Sequence, residues 1–214
     1  MILAGGYSRR LGQEKSLLQF DEKPLICWTL KKLSSVTDEI VVVARDEAHA
    51  RRLVEAVERF MPDAAMFAWD ELPGFGPVAG LYAGMKKAKG ELCFAAACDL
   101  PFLCPRVVDR LFQIAVQAEE DGLDGAVPVH PNGLFEPLHC VYGREKMQQA
   151  CESAIKIGER RVHATLRELA IRSVPVDLLR PLDRELLTFF NLNASEDLER
   201  ARVLWLDHRS KLGW

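Results

Sequence analysis

The chain has 214 residues and a mass of 24.1 kDa, so it is long enough to bury one sizeable core. Its net charge of -3 and its pI near 6.0 argue against a general nucleic-acid binder. Apolar runs stay far below the ~20 residues that span a bilayer, and the N-terminus lacks a secretory leader. We expect a single domain over residues 1–214, with no membrane segment and a cytoplasmic location.

Short apolar runs alternate with helical patterns along most of the chain. Strands are predicted at residues 1–4, 39–44, 64–69, 92–97, 125–129, 138–142 and 172–176. Helices are predicted at residues 24–33, 46–60, 78–89, 105–119, 144–154, 161–169 and 195–206. The run at 92–97 has no polar position, which is typical of a parallel strand covered by helices on both faces. The sequence therefore predicts an α/β fold with a doubly wound, mostly parallel sheet and helices on both faces, which is Rossmann-like.

The loop after the first strand combines glycines with positive charge in the sequence LAGGYSRRLGQEK. Its spacing fits neither the dinucleotide fingerprint nor the Walker loop. Ligands of open α/β sheets bind beyond the carboxyl ends of the strands, where this loop begins. We expect the backbone at Gly5 and Gly6, together with the cations Arg9, Arg10 and Lys15, to hold a polyphosphate.

A second candidate is Asp99, which directly follows the apolar run at 92–98. An unpaired carboxylate there would be costly to desolvate, and a divalent cation would compensate its charge. The alternative is an ordinary turn aspartate before Pro101. Asp70 follows the third predicted strand, and one interpretation of it is a turn or helix-capping residue. The other is the ligand contact that the resemblance described below implies.

The six cysteines form no C-x-x-C pair and have no close histidine partner. This spacing excludes the usual zinc and redox motifs and predicts reduced, mostly buried thiols. Neither His139 nor His163 has metal-ligand spacing with other donors, so both are expected to be structural or to form polar lining.

The segment LAGGYSRRLGQEK resembles the signature of the nucleotidyltransferases that make molybdenum cofactor dinucleotides, above all the molybdenum cofactor guanylyltransferases. The resemblance continues through GERR at 158–161 and NLN at 191–193 to about residue 206. It implies a nucleotide-diphospho-sugar transferase-like fold, with a nucleotide-binding part at 1–104 and an acceptor-binding part at 105–206. The implied reaction transfers GMP from GTP to the terminal phosphate of molybdenum-molybdopterin and releases pyrophosphate, with Mg²⁺ as cofactor.

The resemblance also implies roles for individual residues. Catalytic roles fall to Lys15, Asp99, Arg9 and Arg10, and Asp99 would hold Mg²⁺. GTP would be bound by Leu3, Ala4, Gly5, Gly6, Lys15, Asp70 and Asp99. Molybdopterin would be bound by Arg160, Arg161, Asn191 and Asn193. The alternatives are surface arginines and asparagines that serve as turn and cap residues.

The nucleophile in this reaction needs no general base. A phosphate monoester with a second pKa near ~6 is already largely ionised at neutral pH. None of the five histidines lies in the two clearest nucleotide loops. Catalysis is therefore expected from positioning and charge neutralisation.

Several other functions remain open at this point. Members of the family that the chain resembles often carry an asparagine near the end of the second strand, where this chain has Val43, Ala44 and Arg45, so a cytidylyltransferase for the same cofactor is an alternative. A sugar-phosphate or phospholactate nucleotidyltransferase would share the first loop and Asp99. A molybdopterin-binding delivery protein is the non-enzyme alternative. Transient contact with molybdoenzymes or cofactor chaperones is a further expectation.

Overall fold

The computed structural model describes residues 1–8, 13–72 and 74–208 of the chain. Its strands are β1 (Ile2–Leu3), β2 (Tyr7–Ser8), β3 (Gln13–Glu14), β4 (Gln19–Phe20), β5 (Lys23–Pro24), β6 (Val41–Ala44), β7 (Met66–Trp69), β8 (Leu92–Ala97), β9 (Gly125–Val129), β10 (His139–Gly143) and β11 (Ile171–Pro175). Its helices are α1 (Leu25–Leu33), α2 (Glu47–Glu58), α3 (Pro77–Lys87), α4 (Pro105–Glu120), α5 (Arg144–Lys156), α6 (Val162–Thr165) and α7 (Ser195–His208).

Local signals explain where the helices start. Asp46 precedes α2, and its side chain accepts a hydrogen bond from the backbone N–H of His49 at 2.7 Å, which caps the helix. Pro77 and Pro105 are the first residues of α3 and α4, where a missing N–H costs nothing. These starts agree with the predictions to within one residue.

The central sheet has seven strands in the order β11, β9, β10, β8, β1, β6, β7. The pairs of β1 with β6 and β8, of β6 with β7 and of β9 with β11 are parallel. Only β10 runs in the opposite direction, between β8 and β9. The predicted mostly parallel, doubly wound sheet is therefore confirmed.

Helices cover both faces of the sheet. On one face, Val42 and Ala44 of β6 belong to a core with residues of α1, α2 and α4. On the other face, Val41 and Val43 pack with residues of α3 and α5. A third apolar cluster joins α7 to α1 through the edge-on contact of Trp205 with Trp28, whose ring centroids are 4.5 Å apart. Strand β6 thus contributes side chains to a core on each face of the sheet, which explains why its sequence is apolar throughout.

Two features differ from the predictions. The predicted helix at 161–169 is a short α6 followed by a 3₁₀ turn at Leu166–Glu168. Two short ribbons, β2 with β3 and β4 with β5, were not predicted because two-residue strands have no detectable period. All six cysteines are free thiols and five of them are buried, as the spacing predicted.

Candidate functional site

A cavity of about 440 Å³ opens where β1, β6 and β8 end. This is the edge of an open α/β sheet at which ligands bind. Its walls are Leu3, Gly5, Gly6, Lys15, Val43, Ala44, Arg45, Asp70, Gly74, Gly76, Pro77, Gly80, Ala97, Cys98, Asp99 and Leu138. Six of the residues that the sequence assigned to a nucleotide therefore lie together.

Lys15 and Asp99 meet at the floor of this cavity. Lys15 follows β3 directly, and its Nζ lies 2.6 Å from Oδ2 of Asp99, two residues beyond β8. Their side chains are only 16% and 8% exposed. The same Nζ donates to Oδ1 of Asn193 at 2.7 Å. One ammonium group thus joins the first loop, the central strand and the C-terminal segment.

The backbone reinforces this junction. The N–H of Leu192 donates to the carbonyl of Asp99 at 3.1 Å, so the segment that carries Asn193 is held against the end of β8. Ala4 is buried, and its N–H donates to the carbonyl of Val43 at 2.8 Å, so this amide is used within the sheet. Arg9 and Arg10 lie outside the described residues.

A partly buried network supports the loop from the side of α2. Glu14 accepts hydrogen bonds from Arg45 at 2.9 Å and from Arg52 at 2.7 Å. Burial alone would raise the pKa of Glu14, but these hydrogen bonds lower it below its ordinary value. The backbone N–H of Arg45 donates to Nδ1 of His49 at 3.2 Å, and Nε2 of His49 lies 3.3 Å from Oγ of Ser16.

His49 is fully buried, and burial lowers its pKa, so its neutral form is favoured. Because Nδ1 accepts from Arg45, the ring proton lies on Nε2, the atom that faces Ser16 next to Lys15. The His49 imidazole therefore connects the end of β6 with the 3₁₀ turn at Lys15–Leu17. Sequence reasoning did not identify His49, because a histidine in the first turn of an amphipathic helix carries no such signal.

Asp70 lies on the wall of the cavity beyond β7. Its Oδ1 accepts from the backbone N–H of Leu72 at 2.7 Å, and burial raises its pKa. The same loop ends at Gly76, whose φ of +106° favours glycine just before Pro77 starts α3. The loop thus combines the expected turn role of Asp70 with a position in the cavity wall.

The two predicted acceptor arginines differ in their contacts with this loop. The guanidinium of Arg160 stacks over the ring of Phe75 at 5.5 Å. Arg161 donates from Nε and Nη2 to the two carboxylate oxygens of Glu159, at 3.0 and 2.9 Å, and its side chain is 81% exposed. Side-chain hydrogen bonds from Arg161 hold the pKa of Glu159 down to about 2. Arg160 is therefore the one of the two that contacts the loop between β7 and α3.

A second cavity of about 270 Å³ adjoins the first. Its lining comprises Ala97, Asp99, Leu100, Glu136, Pro137, Leu138, His139, Phe189 and Asn191. Ala97, Asp99 and Leu138 line both cavities. Asn191 is half-buried here, and its Nδ2 donates to the carbonyl of Phe189 at 3.0 Å. Asp99 consequently lies where two ligand-sized spaces meet.

The two histidines considered above differ in environment. His139 is completely buried, with Nε2 3.1 Å from the hydroxyl of Thr188, and burial lowers its pKa to about 3. The neutral form is therefore favoured, which fits the expected structural or lining role. His163 lines a separate cavity of about 430 Å³ beside Arg167 and Ser173.

Two kinds of feature are absent from the described ranges. Residues 1–8, 13–72 and 74–208 contain no group of three or more histidine, cysteine or acidic side chains placed to hold a metal ion. In the same ranges, no helix has the length and apolar character needed to cross a membrane.

Comparison with known proteins gives consistent matches. A family model described as a MobA-like NTP transferase domain matches residues 1–173. A probable molybdenum cofactor guanylyltransferase of Methanosarcina mazei is 37% identical over 201 residues, which is 93% of this chain and 87% of that protein. A molybdenum cofactor guanylyltransferase of Desulfosudis oleivorans is 31% identical over 204 residues, covering 95% of this chain and 93% of that protein.

Solved structures give the same result. The crystal structure of molybdopterin-guanine dinucleotide biosynthesis protein A from Archaeoglobus fulgidus is 35% identical, with a TM-score of 0.81 over 96% of this chain and 97% of that one. A 2-C-methyl-D-erythritol 4-phosphate cytidylyltransferase from Thermus thermophilus is 17% identical, with a TM-score of 0.66 over 95% of this chain and 96% of that one. At that identity the second match supports the fold alone.

Proposed function

The chain belongs to the family of MobA-like NTP transferases, and from this premise we propose that it transfers GMP from GTP to the terminal phosphate of molybdenum-bearing molybdopterin. The products are molybdopterin guanine dinucleotide and pyrophosphate. The observation that carries the proposal is the pair of adjoining cavities that meet at Asp99, with Lys15 beside it.

The larger cavity is proposed to hold GTP. The backbone at Leu3, Gly5 and Gly6 would face the nucleotide, and Asp70 on the opposite loop would accept from guanine N–H groups. A Cβ at Gly5 would lie 3.2 Å from Cα of Arg45, so glycine allows the first loop to pass close to the end of β6. This close approach supports a site formed by backbone groups.

Lys15 is proposed to bind the triphosphate. In the structure its ammonium donates to oxygens of Asp99 and Asn193, and phosphate oxygens would be acceptors of the same kind. A nearly buried cation acts more strongly on a phosphate than an exposed one, because water screens it less. Arg9 and Arg10 remain predicted partners of the same phosphates.

Asp99 is proposed to hold Mg²⁺. Mg²⁺ is commonly bound by one or two carboxylates together with phosphates and waters, so a single carboxylate at a cavity floor fits the ion. When bound, the ion would supply charge neutralisation on the phosphate oxygens. The chain's own part is to place one buried carboxylate where both cavities meet.

The smaller cavity is proposed to hold the pterin end of the acceptor. Asn191 lines it, and Asn193 reaches Lys15, so the two asparagines flank the junction. Arg160 and Arg161 are proposed to grip the acceptor phosphate. The ionised phosphate would then attack in line, which requires orientation rather than proton removal.

The experiment is to measure pyrophosphate release from GTP and, separately, from CTP, with and without molybdenum-molybdopterin, in Mg²⁺. We expect release that depends on both GTP and the acceptor. Release with sugar phosphates instead, or binding of molybdopterin without consumption of GTP, would contradict the proposal. Asp109→Asn, on the surface of α4, is the matched control for an Asp99→Asn variant.

A further inference from the structure

The smaller cavity contains a carboxylate to which sequence analysis gave no role. Glu136 lines it together with Asn191 and Phe189, and its side chain is 26% exposed. It precedes β10 by three residues, and Asp99 lines the same cavity. A partly buried carboxylate in a binding cavity needs hydrogen-bond donors.

The Glu136 carboxylate is held in a fixed position. Oε1 accepts from Nε2 of His130 at 2.7 Å, since an ionised carboxylate can only accept. The backbone N–H of Glu136 donates to the carbonyl of Pro128 at 3.0 Å, and its carbonyl accepts from the N–H of His139 at 3.1 Å. Among the described residues, no side chain or backbone group donates to Oε2.

A second acceptor is presented to the same cavity. Nδ2 of Asn191 donates one of its two hydrogens to the carbonyl of Phe189 at 3.0 Å, and Oδ1 is the acceptor of this amide. Phe189 adds an aromatic wall, packed edge-on against His130 and His139 at centroid distances of 5.6 and 4.7 Å. The cavity thus offers acceptors and an aromatic surface to a flat ligand that is rich in donors.

From this arrangement we infer that Glu136 determines acceptor specificity by binding the 2-amino-4-oxo edge of the pterin ring. This edge presents two neighbouring donors, the 2-amino group and the ring N3–H, which match the two oxygens of one carboxylate in the way that an arginine fork does. The volume of about 270 Å³ is just below the range for drug-sized ligands and suits one bicyclic ring. This inference rests on the proposed function and assigns one residue within it.

The test compares pterin with lumazine, in which an oxygen replaces the 2-amino group. Binding of each compound to the whole protein is measured by calorimetry in the presence of GTP and Mg²⁺. We expect pterin to bind the natural protein about tenfold to a hundredfold more tightly than lumazine. In Glu136→Gln the amide donates to the lumazine oxygen, so the preference should fall to parity or reverse. Equal binding of the two compounds to the natural protein, or no binding of either, would overturn the inference.

Turnover provides the second measurement. Glu136→Gln should raise the KM for molybdopterin by a similar factor and leave the KM for GTP unchanged. Glu145→Gln is the matched control, because Glu145 lies on α5 with its side chain 75% exposed. If the natural enzyme is active and Glu136→Gln leaves the KM for molybdopterin unchanged, the role of Glu136 is refuted while the proposed function stands. A natural protein that binds pterin selectively but makes no dinucleotide would refute the proposed function alone.

Discussion

The contact between Lys15 and Asp99 can be tested with a double-mutant cycle. The variants are Lys15→Met, Asp99→Asn and the two combined, each of nearly the original volume. If the two side chains form one unit, each single change should destabilise the protein and the second change should add little. The free energy of unfolding is measured by urea denaturation in the absence of nucleotide.

The structure bounds the size of the effect. At 2.6 Å, opposite charges attract by about 6 kcal/mol when the effective dielectric constant is about 20. Desolvation of two nearly buried ions offsets most of that, so we expect a coupling free energy of about 1 to 3 kcal/mol. The exposed pair of Lys156 with Glu152 on α5 is the control, where coupling should stay below about 0.5 kcal/mol.

The same variants should lose turnover while they remain folded. We expect Asp99→Asn and Lys15→Met each to reduce pyrophosphate release by at least about a hundredfold, and the double variant to be no worse than the poorer single one. Asp99→Ala or Lys15→Ala alone is also predicted to abolish turnover while the protein remains folded. Strictly additive unfolding free energies, or a fully active Asp99→Ala protein, would refute the reasoning.

Three further predictions concern stability and the acceptor. His139→Gln should weaken the pH dependence of the unfolding free energy. Burial lowers the pKa of His139 from its ordinary value of 6.5 to about 3, so below pH 6.5 the unfolded chain binds more protons than the folded one. The stability that the neutral, buried His139 contributes is therefore lost as the pH falls. Between pH 6.5 and about pH 4.5 the natural protein should lose about 2 to 3 kcal/mol more than the variant in urea titrations. Asp46→Ala removes the cap on α2 and should cost about 1 kcal/mol, and a melting temperature equal to that of the natural protein would contradict this. Arg161→Ala breaks only an exposed pair with Glu159 and should change stability by less than about 0.5 kcal/mol, while the KM for molybdopterin rises; an unchanged KM would remove Arg161 from the acceptor site.

Much of the fold could be predicted because its elements are locally coded. The strand predicted at 92–97 and the strand predicted at 125–129 have the observed bounds, since each is a short apolar or β-branched run between turn residues. The reversed direction of β10 could not be predicted from a local sequence pattern. Strand direction depends on which neighbour a strand pairs with, and β10 pairs with both β8 and β9 through long-range hydrogen bonds.

The candidate site also contains residues that could be identified from the sequence and residues that could not. The glycine loop and Asp99 stand out in the sequence because their residue types and positions after strands already indicate phosphate and cation binding. The residues that support the site do not stand out in the sequence. The sequence assigned no role to His49 or to Glu136, because what each side chain can bind depends on what faces it across the fold.

The sequence by itself determined the order of the helices and of the central-sheet strands, the family, and the glycine-rich loop that is predicted to bind phosphate, because each follows from local patterns of apolar residues, glycines and charges. Only the tertiary structure decided that Lys15 contacts Asp99 and Asn193, which lie 84 and 178 residues further along the chain. It also decided that Arg160 stacks on Phe75 and that two cavities share Asp99. Such contacts arise when the sheet brings strand ends together, and spacing along the chain carries no information about that distance.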